Sequence, residues 1–150
     1  MTTWSCKSFN DLSNTQLYNI LKSRQDVFII EQQCIYTDLD DIDQHCLHLF
    51  ATAVDTQEVI AYLRIIPATL QQPQTSFGRV LTTDTVRGTG IGKRLITKAI
   101  AKIHLDSPGQ EIKISAQLYL ETFYKGFGFE TISGIYDEDG IDHISMLLTS

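Results

Sequence analysis

Val80-Leu81-Thr82-Thr83-Asp84-Thr85-Val86-Arg87-Gly88-Thr89-Gly90-Ile91-Gly92-Lys93-Arg94 runs from an apolar strand-like segment, through a glycine-rich turn, into a helix. The helix follows from Ile91, Leu95, Ile96, Ala99, Ile100 and Ile103, which fall on one face at 3.6-residue spacing. The first N–H groups of such a helix lack intrahelical partners, and the positive end of its dipole lies there, so the turn suits an anion. Glycines let a phosphate approach the backbone with no Cβ in the way. Arg87 adds a charged fork. Two general phosphate motifs fit poorly. Gly88, Gly90 and Gly92 are one residue short of the dinucleotide fingerprint. Gly88 to Lys93 is one residue short of the NTPase loop, and Arg94 stands where that loop needs a magnesium-binding hydroxyl. A glycine-rich helix start with no ligand is the plain alternative.

Outward from this turn, the pattern predicts strands at residues 4–9, 46–53, 58–66 and 77–82 before it. Ser13 is a predicted N-cap for a helix carrying Leu17, Ile20, Leu21, Arg24, Val27, Phe28 and Glu31. Residues 36–43 are acidic and irregular and read as a loop. After the turn, Ser107-Pro108-Gly109 stops the helix, residues 111–116 alternate as a strand, and residues 118–125 form a short helix. Residues 129–136 and 143–148 flank Asp137-Glu138-Asp139-Gly140, a strong hairpin signal. The order β-α-β-β-β-α-β-α-β-β predicts a mixed α/β sheet.

The 150 residues suit one domain, and 43% apolar content supplies a core without staples. No transmembrane helix is expected, since the longest apolar run, residues 59–63, is far below the ~18 residues needed. No signal peptide is expected either. Twelve basic against eighteen acidic residues, net −6, argue against nucleic-acid binding. Cys6, Cys34 and Cys46 show no CxxC spacing, which suits a reducing cytoplasm and no metal. Asp38, Asp40, Asp41 and Asp43 fail as a calcium loop, because Ile42, Asp43 and Leu49 occupy positions five, six and twelve. They read as a solvated loop or as a mouth attracting a cation.

Arg87-Gly88-Thr89-Gly90-Ile91-Gly92 fits R/Q-x-x-G-x-G/A, and Ala116-Gln117 is followed by Phe123-Tyr124-Lys125-Gly126-Phe127-Gly128-Phe129. Arg24 to Gln32, Cys34, Tyr36, Asp38, Asp40 and His48-Leu49 stand upstream. Gly78-Arg79-Val80, Tyr136 to Ile141 and His143-Ile144 add further matches. Together these resemble the GCN5-related N-acetyltransferase (GNAT) superfamily, in its ElaA-type branch, over nearly the whole chain. The resemblance implies a twisted, mostly antiparallel sheet, splayed between its fourth and fifth strands and flanked by helices. It implies acetyl-CoA as cofactor. Arg87, Gly88, Thr89, Gly90, Ile91, Gly92 and Lys93 would hold the pyrophosphate; Val80, Leu81 and Thr82 would pair with the pantetheine and polarise the thioester carbonyl. Gln117 stands where relatives often carry a cofactor-contacting asparagine.

Acyl transfer to an amine takes a proton from the amine and gives one to the leaving thiolate. Tyr124 suits the second of these roles, because a phenol, pKa about 10, is protonated at neutral pH and can donate to a thiolate whose acid has pKa about 8.5. The alternative is a core aromatic. Many relatives use a glutamate on strand four, but residues 77–82 contain no carboxylate. Glu31, at the end of an apolar helix, and His48, in an apolar strand, are the candidate bases. A structural ion pair and a satisfied core histidine are their alternatives. Arg24 and Glu31, seven residues apart, would share a helix face and line an acceptor pocket with Phe28, Arg64 and Asp43. The alternative is a salt-bridged scaffold.

The sequence thus reads as an acetyl-CoA-dependent N-acetyltransferase acting on a small-molecule or peptide amine, with no nucleic-acid or membrane partner and a homodimer left open. A non-catalytic acyl-CoA-binding regulator is a second reading. A distant likeness of Arg24, Phe28 and the acidic loop to acyl-homoserine-lactone synthases is a third.

Overall fold

Ser13 and Gln16 exchange hydrogen bonds at the first helix start: the Gln16 N–H donates to Ser13 Oγ at 3.0 Å, and the Ser13 N–H donates to Gln16 Oε1 at 2.9 Å. This capping box opens α1 (Asn14–Arg24). The computed structural model describes residues 2–149. The chain does not continue α1 to Glu31 in α form; Gln25–Glu31 is π-helical. Its wider i→i+5 turns rotate each residue less, so seven residues no longer bring Arg24 and Glu31 to one face. Arg24 is fully buried and Glu31 is exposed.

β1 (Thr2–Ser8), β2 (Leu47–Ala53), β3 (Val59–Ile66) and β4 (Ser76–Thr82) form one antiparallel sheet in that order. α2 (Ile91–Asp106) follows. β5 (Ile112–Gln117) then pairs with β8 (Ile141–Leu148), which also pairs with β6 (Glu130–Thr131) and β7 (Tyr136–Glu138). α3 (Glu121–Lys125) lies between β5 and β6. The predicted strand at 129–136 is two pieces. The Ser133 hydroxyl accepts the Ser145 N–H at 2.8 Å, so a side chain replaces one rung of the ladder. The Asp139-Gly140 turn has φ of +54° and +83°, the conformation that closes a two-residue hairpin.

The two half-sheets meet at one parallel bridge, Thr75 to Ile112, where the Lys113 N–H donates to the Thr75 carbonyl at 2.9 Å. Beyond it β4 and β5 have no ladder pairing, and the sheet opens as a V. A bulge in β4 accompanies the opening. Tyr62 pairs with Leu81 and Arg64 with Gly78, so Arg79 and Val80 together oppose Leu63. Arg79 takes φ +52°, strained for a non-glycine residue, and is held by contacts to Asp38 and Asp40.

α2 covers one face of both half-sheets; Leu95, Ile96 and Ala99 pack with Leu63, Ile114 and Met146. α1 and the π-helical turn cover the other face of the first half-sheet, where Ile20 and Phe28 meet Phe50 and Tyr62. In the second half-sheet, Ile112, Ile114 and Ala116 point into the core, while Lys113, Ser115 and Gln117 alternate to the other face. That polar face lines the cleft. No helix among the described residues is long and apolar enough to cross a membrane.

Candidate active site

The V between β4 and β5 forms a cleft of about 1110 Å³, lined by both half-sheets, the π-helical turn and the start of α2. This slightly exceeds the ~300–1,000 Å³ of ordinary small-molecule pockets and suits a long ligand.

At one end of the cleft is the glycine turn. Gly88 and Gly90 take φ of +82° and +84°, which glycine adopts without strain. Arg94 is the first α2 residue whose N–H bonds back, to the Gly90 carbonyl at 3.2 Å. The N–H groups of Ile91, Gly92 and Lys93 therefore have no partner within the helix. A Cβ at Gly88 or Gly90 would meet no atom within 4 Å, so the space before the turn is open. Thr89 departs from expectation. Its N–H donates to the Val86 carbonyl at 3.3 Å, its hydroxyl bonds the same oxygen, and it is absent from the cleft lining. It closes the turn and has no N–H to offer an anion. Arg87 lines the cleft, but its guanidinium donates to the Thr82 carbonyl at 2.6 Å and to Glu31 at 2.7 Å.

Along the cleft, Val80, Leu81 and Thr82 present the β4 edge that faces away from β3, and Gln117 stands across from them. Tyr124, on α3, lines the same space and is only 3% exposed. Phe123, Phe129 and Phe77 surround its ring at centroid distances of 5.2, 5.9 and 6.3 Å. Burial, with a smaller effect of Tyr119, pushes its pKa above the ordinary phenol value. The hydroxyl thus keeps its proton at neutral pH.

Both expected bases are otherwise engaged. His48 is buried. Its Nδ1 lies 2.7 Å from the Tyr62 hydroxyl and its Nε2 2.9 Å from the Asp43 carbonyl, and burial lowers its pKa. It is a satisfied core histidine, off the cleft. Glu31 is not buried at an apolar helix end but exposed, and it is paired with Arg87.

The expected acceptor group also divides. Phe28 lines the cleft. Arg24 does not: its Nε meets Asp38 at 2.9 Å and its Nη1 meets Asp43 at 2.8 Å. Asp43 also accepts from Arg64 at 2.9 Å and is equally off the cleft. Arg64 reaches the cleft wall while pairing with Asp40 and Asp43. Arg79 completes a cluster of three arginines and three aspartates; its Nε lies 2.8 Å from Asp38, out of line for a hydrogen bond. Burial opposes ionisation of Asp40 and Asp43, but hydrogen bonds and charge from the arginines outweigh it and hold both below the usual carboxylate range. The acidic loop is therefore a buried brace more than a solvated mouth.

Residues without an assigned role from sequence line the opposite wall. Ser115 Oγ lies 2.5 Å from the Tyr136 hydroxyl and 3.3 Å from Glu138 Oε1. His143 Nε2 lies 3.3 Å from Glu138 Oε2. The alternation of polar residues at 113, 115 and 117 and at 143 and 145 would have marked this uncovered face. Among the described residues, no group of three or more His, Cys, Asp or Glu is placed to hold a metal.

Comparison with known proteins places this architecture. The acetyltransferase (GNAT) domain profile matches residues 12–150. The UPF0039 protein sll0451 of Synechocystis is 41% identical over 96% of this chain and 93% of its own. Protein ElaA of Escherichia coli is 34% identical over 97% and 95% of the two chains; its crystal structure superposes with a TM-score of 0.91 over 99% of each. A Pseudomonas aeruginosa acyl-CoA N-acyltransferase crystal structure, 32% identical, gives 0.94 over 99% of this chain and 100% of that one.

Proposed function

This chain belongs to the acetyltransferase (GNAT) family, in the branch that includes ElaA, and from that premise we propose that it is an acetyl-CoA-dependent N-acetyltransferase acting on an amine. One observation carries the reading. Three unpartnered N–H groups at the start of α2 open onto a gap in the sheet that also holds the buried phenol of Tyr124.

The residues present fit the cofactor. The open, positive-φ turn leaves room for a diphosphate before Ile91, Gly92 and Lys93, and the Lys93 ammonium and Arg87 add charge. Val80 to Thr82 has no strand partner on the β5 side, so this edge can meet an amide-bearing arm, with Gln117 opposite and the Thr82 carbonyl already accepting from Arg87. When bound, the cofactor supplies an acetyl group activated as a thioester. A β4 N–H aimed at its carbonyl would stabilise developing negative charge by about 3 kcal/mol. Tyr124 holds a proton for the leaving sulfur. Arg87 must exchange Glu31 for phosphate, or reach both.

A non-catalytic acyl-CoA-binding protein is the second reading, favoured by one observation: Glu31 and His48 are both tied up. The experiment that separates the readings is thiol release from acetyl-CoA with and without a panel of primary amines, run beside calorimetric binding of CoA. Amine-dependent release supports the enzyme. Tight binding with no release on any amine supports the regulator.

A further inference from the structure

We propose that His143, backed by Glu138, accepts the proton that the acceptor ammonium must lose, on the polar wall of the cleft; this rests on the acetyltransferase reading above. The placement comes from strand register. From the Thr75–Ile112 bridge, five residues along each strand reach Val80 on β4 and Gln117 on β5. Gln117 is paired with His143 on β8, so their side chains share a face. The imidazole therefore stands at the level of the β4 bulge, across the gap from the edge that would face the thioester. It is buried, at 7% exposure, yet lines the same cleft as Tyr124.

The hydrogen bonds fix what the ring can do. His143 Nδ1 lies 2.7 Å from the Ile141 carbonyl, which only accepts, so Nδ1 carries a proton. In the neutral ring Nε2 then bears a lone pair, 3.3 Å from Glu138 Oε2. Two acceptors that close leave no room for a third heavy atom between them, so a donor must lie beside the pair. An ammonium supplies it, donating to both. Glu138 has no lysine or arginine partner among the described residues, so its charge is free to receive a cation. The groups facing the ring are Glu138 and Tyr136 from β7, the latter stacked at 6.2 Å, and the uncharged Gln117 from β5.

The step balances. An ammonium N–H bond breaks, its electron pair stays on the amine nitrogen, and an Nε2–H bond forms. The resulting imidazolium is stabilised by the Glu138 carboxylate. Of the three ammonium hydrogens, one goes to Nε2, one stays on the amide nitrogen, and one restores the Tyr124 hydroxyl after it protonates the leaving sulfur. The half-exposed Glu138 gives the released proton a path to water. The substrate class is a primary aliphatic amine presented as a cation.

The test uses the full chain, acetyl-CoA and a panel of 1,3-diaminopropane, 1,4-diaminobutane and lysine-containing peptides, followed by thiol release. His143→Gln is expected to lower kcat/KM by at least about 10²-fold, with acetyl-CoA affinity by calorimetry unchanged. Glu138→Gln is expected to move the acidic limb of the kcat/KM–pH profile to lower pH, because the imidazolium loses its anionic partner; a purely structural role would not move it. If His143→Gln loses acetyl-CoA binding through misfolding, Glu138→Gln decides alone. Wild-type turnover with an unaffected His143→Gln, or an unmoved limb in Glu138→Gln, overturns the proposal and leaves the acetyltransferase reading standing. A wild-type protein that binds acetyl-CoA and acetylates no amine overturns that reading, and this one with it.

Discussion

Glu31 Oε1 stands 2.7 Å from Arg87 Nη1, tying the π-helical turn to the glycine-rich turn before α2. The residue that sequence offered as a base is thus the partner of the residue offered as a phosphate clamp. The side chains are 42% exposed for Arg87 and 40% for Glu31, so the pair contributes only about 0.2–1 kcal/mol. Glu31→Gln is expected to free Arg87 and raise CoA affinity by up to about fivefold in calorimetry, with kcat little changed. A kcat loss of about 10² would return Glu31 to the role of base.

Gly90→Asp puts a carboxylate at the open seat and forces φ +84° on a residue with a Cβ. CoA binding is expected to fall below calorimetric detection while the thermal melt remains cooperative. Unchanged affinity would remove the turn from the cofactor site.

Tyr124→Phe keeps the ring among Phe77, Phe123 and Phe129 and deletes only the hydroxyl. It is expected to lower kcat by about 10²-fold and leave CoA affinity nearly unchanged. A wild-type rate would remove Tyr124 from the chemistry.

Arg24→Ala removes the guanidinium that Asp38 and Asp43 share in the interior, leaving Asp43 to Arg64 and Asp38 to Arg79. A loss of about 3–5 kcal/mol is expected in urea unfolding. A loss below about 1 kcal/mol would mean that Arg64 and Arg79 neutralise the cluster without it.

Acid should act in two stages. His48 has a folded pKa below its unfolded value of about 6.5, so below that pH the unfolded chain takes the extra proton and stability falls. Asp40 and Asp43 are held below their unfolded value of about 3.9; their contribution is complete above it and is lost as pH falls through their lower folded values. Urea midpoints across pH 3–8 are expected to decline gently from about 6.5 and more steeply below about 4. His48→Gln should remove the first decline.

The splayed sheet, the α2 face, the N-cap at Ser13 and the Asp139-Gly140 hairpin were legible because each rests on local periodicity or turn chemistry, or on motifs that carry a family likeness. The bulge at Arg79 was not. Its positive φ is held by ion pairs from a loop some forty positions upstream, at Asp38 and Asp40. The same distance effect hid the fate of Arg24, which a continuous helix would have put beside Glu31: the π-helical turn carries Glu31 off that face, and Asp38 and Asp43 hold Arg24 in the interior. His48 looked chemical in an apolar strand because Tyr62 and the Asp43 carbonyl, which satisfy it, come from other segments. The polar wall at Ser115, Tyr136, Glu138 and His143 could be read as alternation, but only the uncovered face gives that alternation a meaning.

A crystal structure of the chain soaked with CoA addresses the central claim most directly. The diphosphate should lie against the N–H groups of Ile91, Gly92 and Lys93, with the pantetheine along Val80 to Thr82 and the sulfur near Tyr124. Coenzyme bound elsewhere, or none at saturating concentration, would contradict the assignment of this cleft.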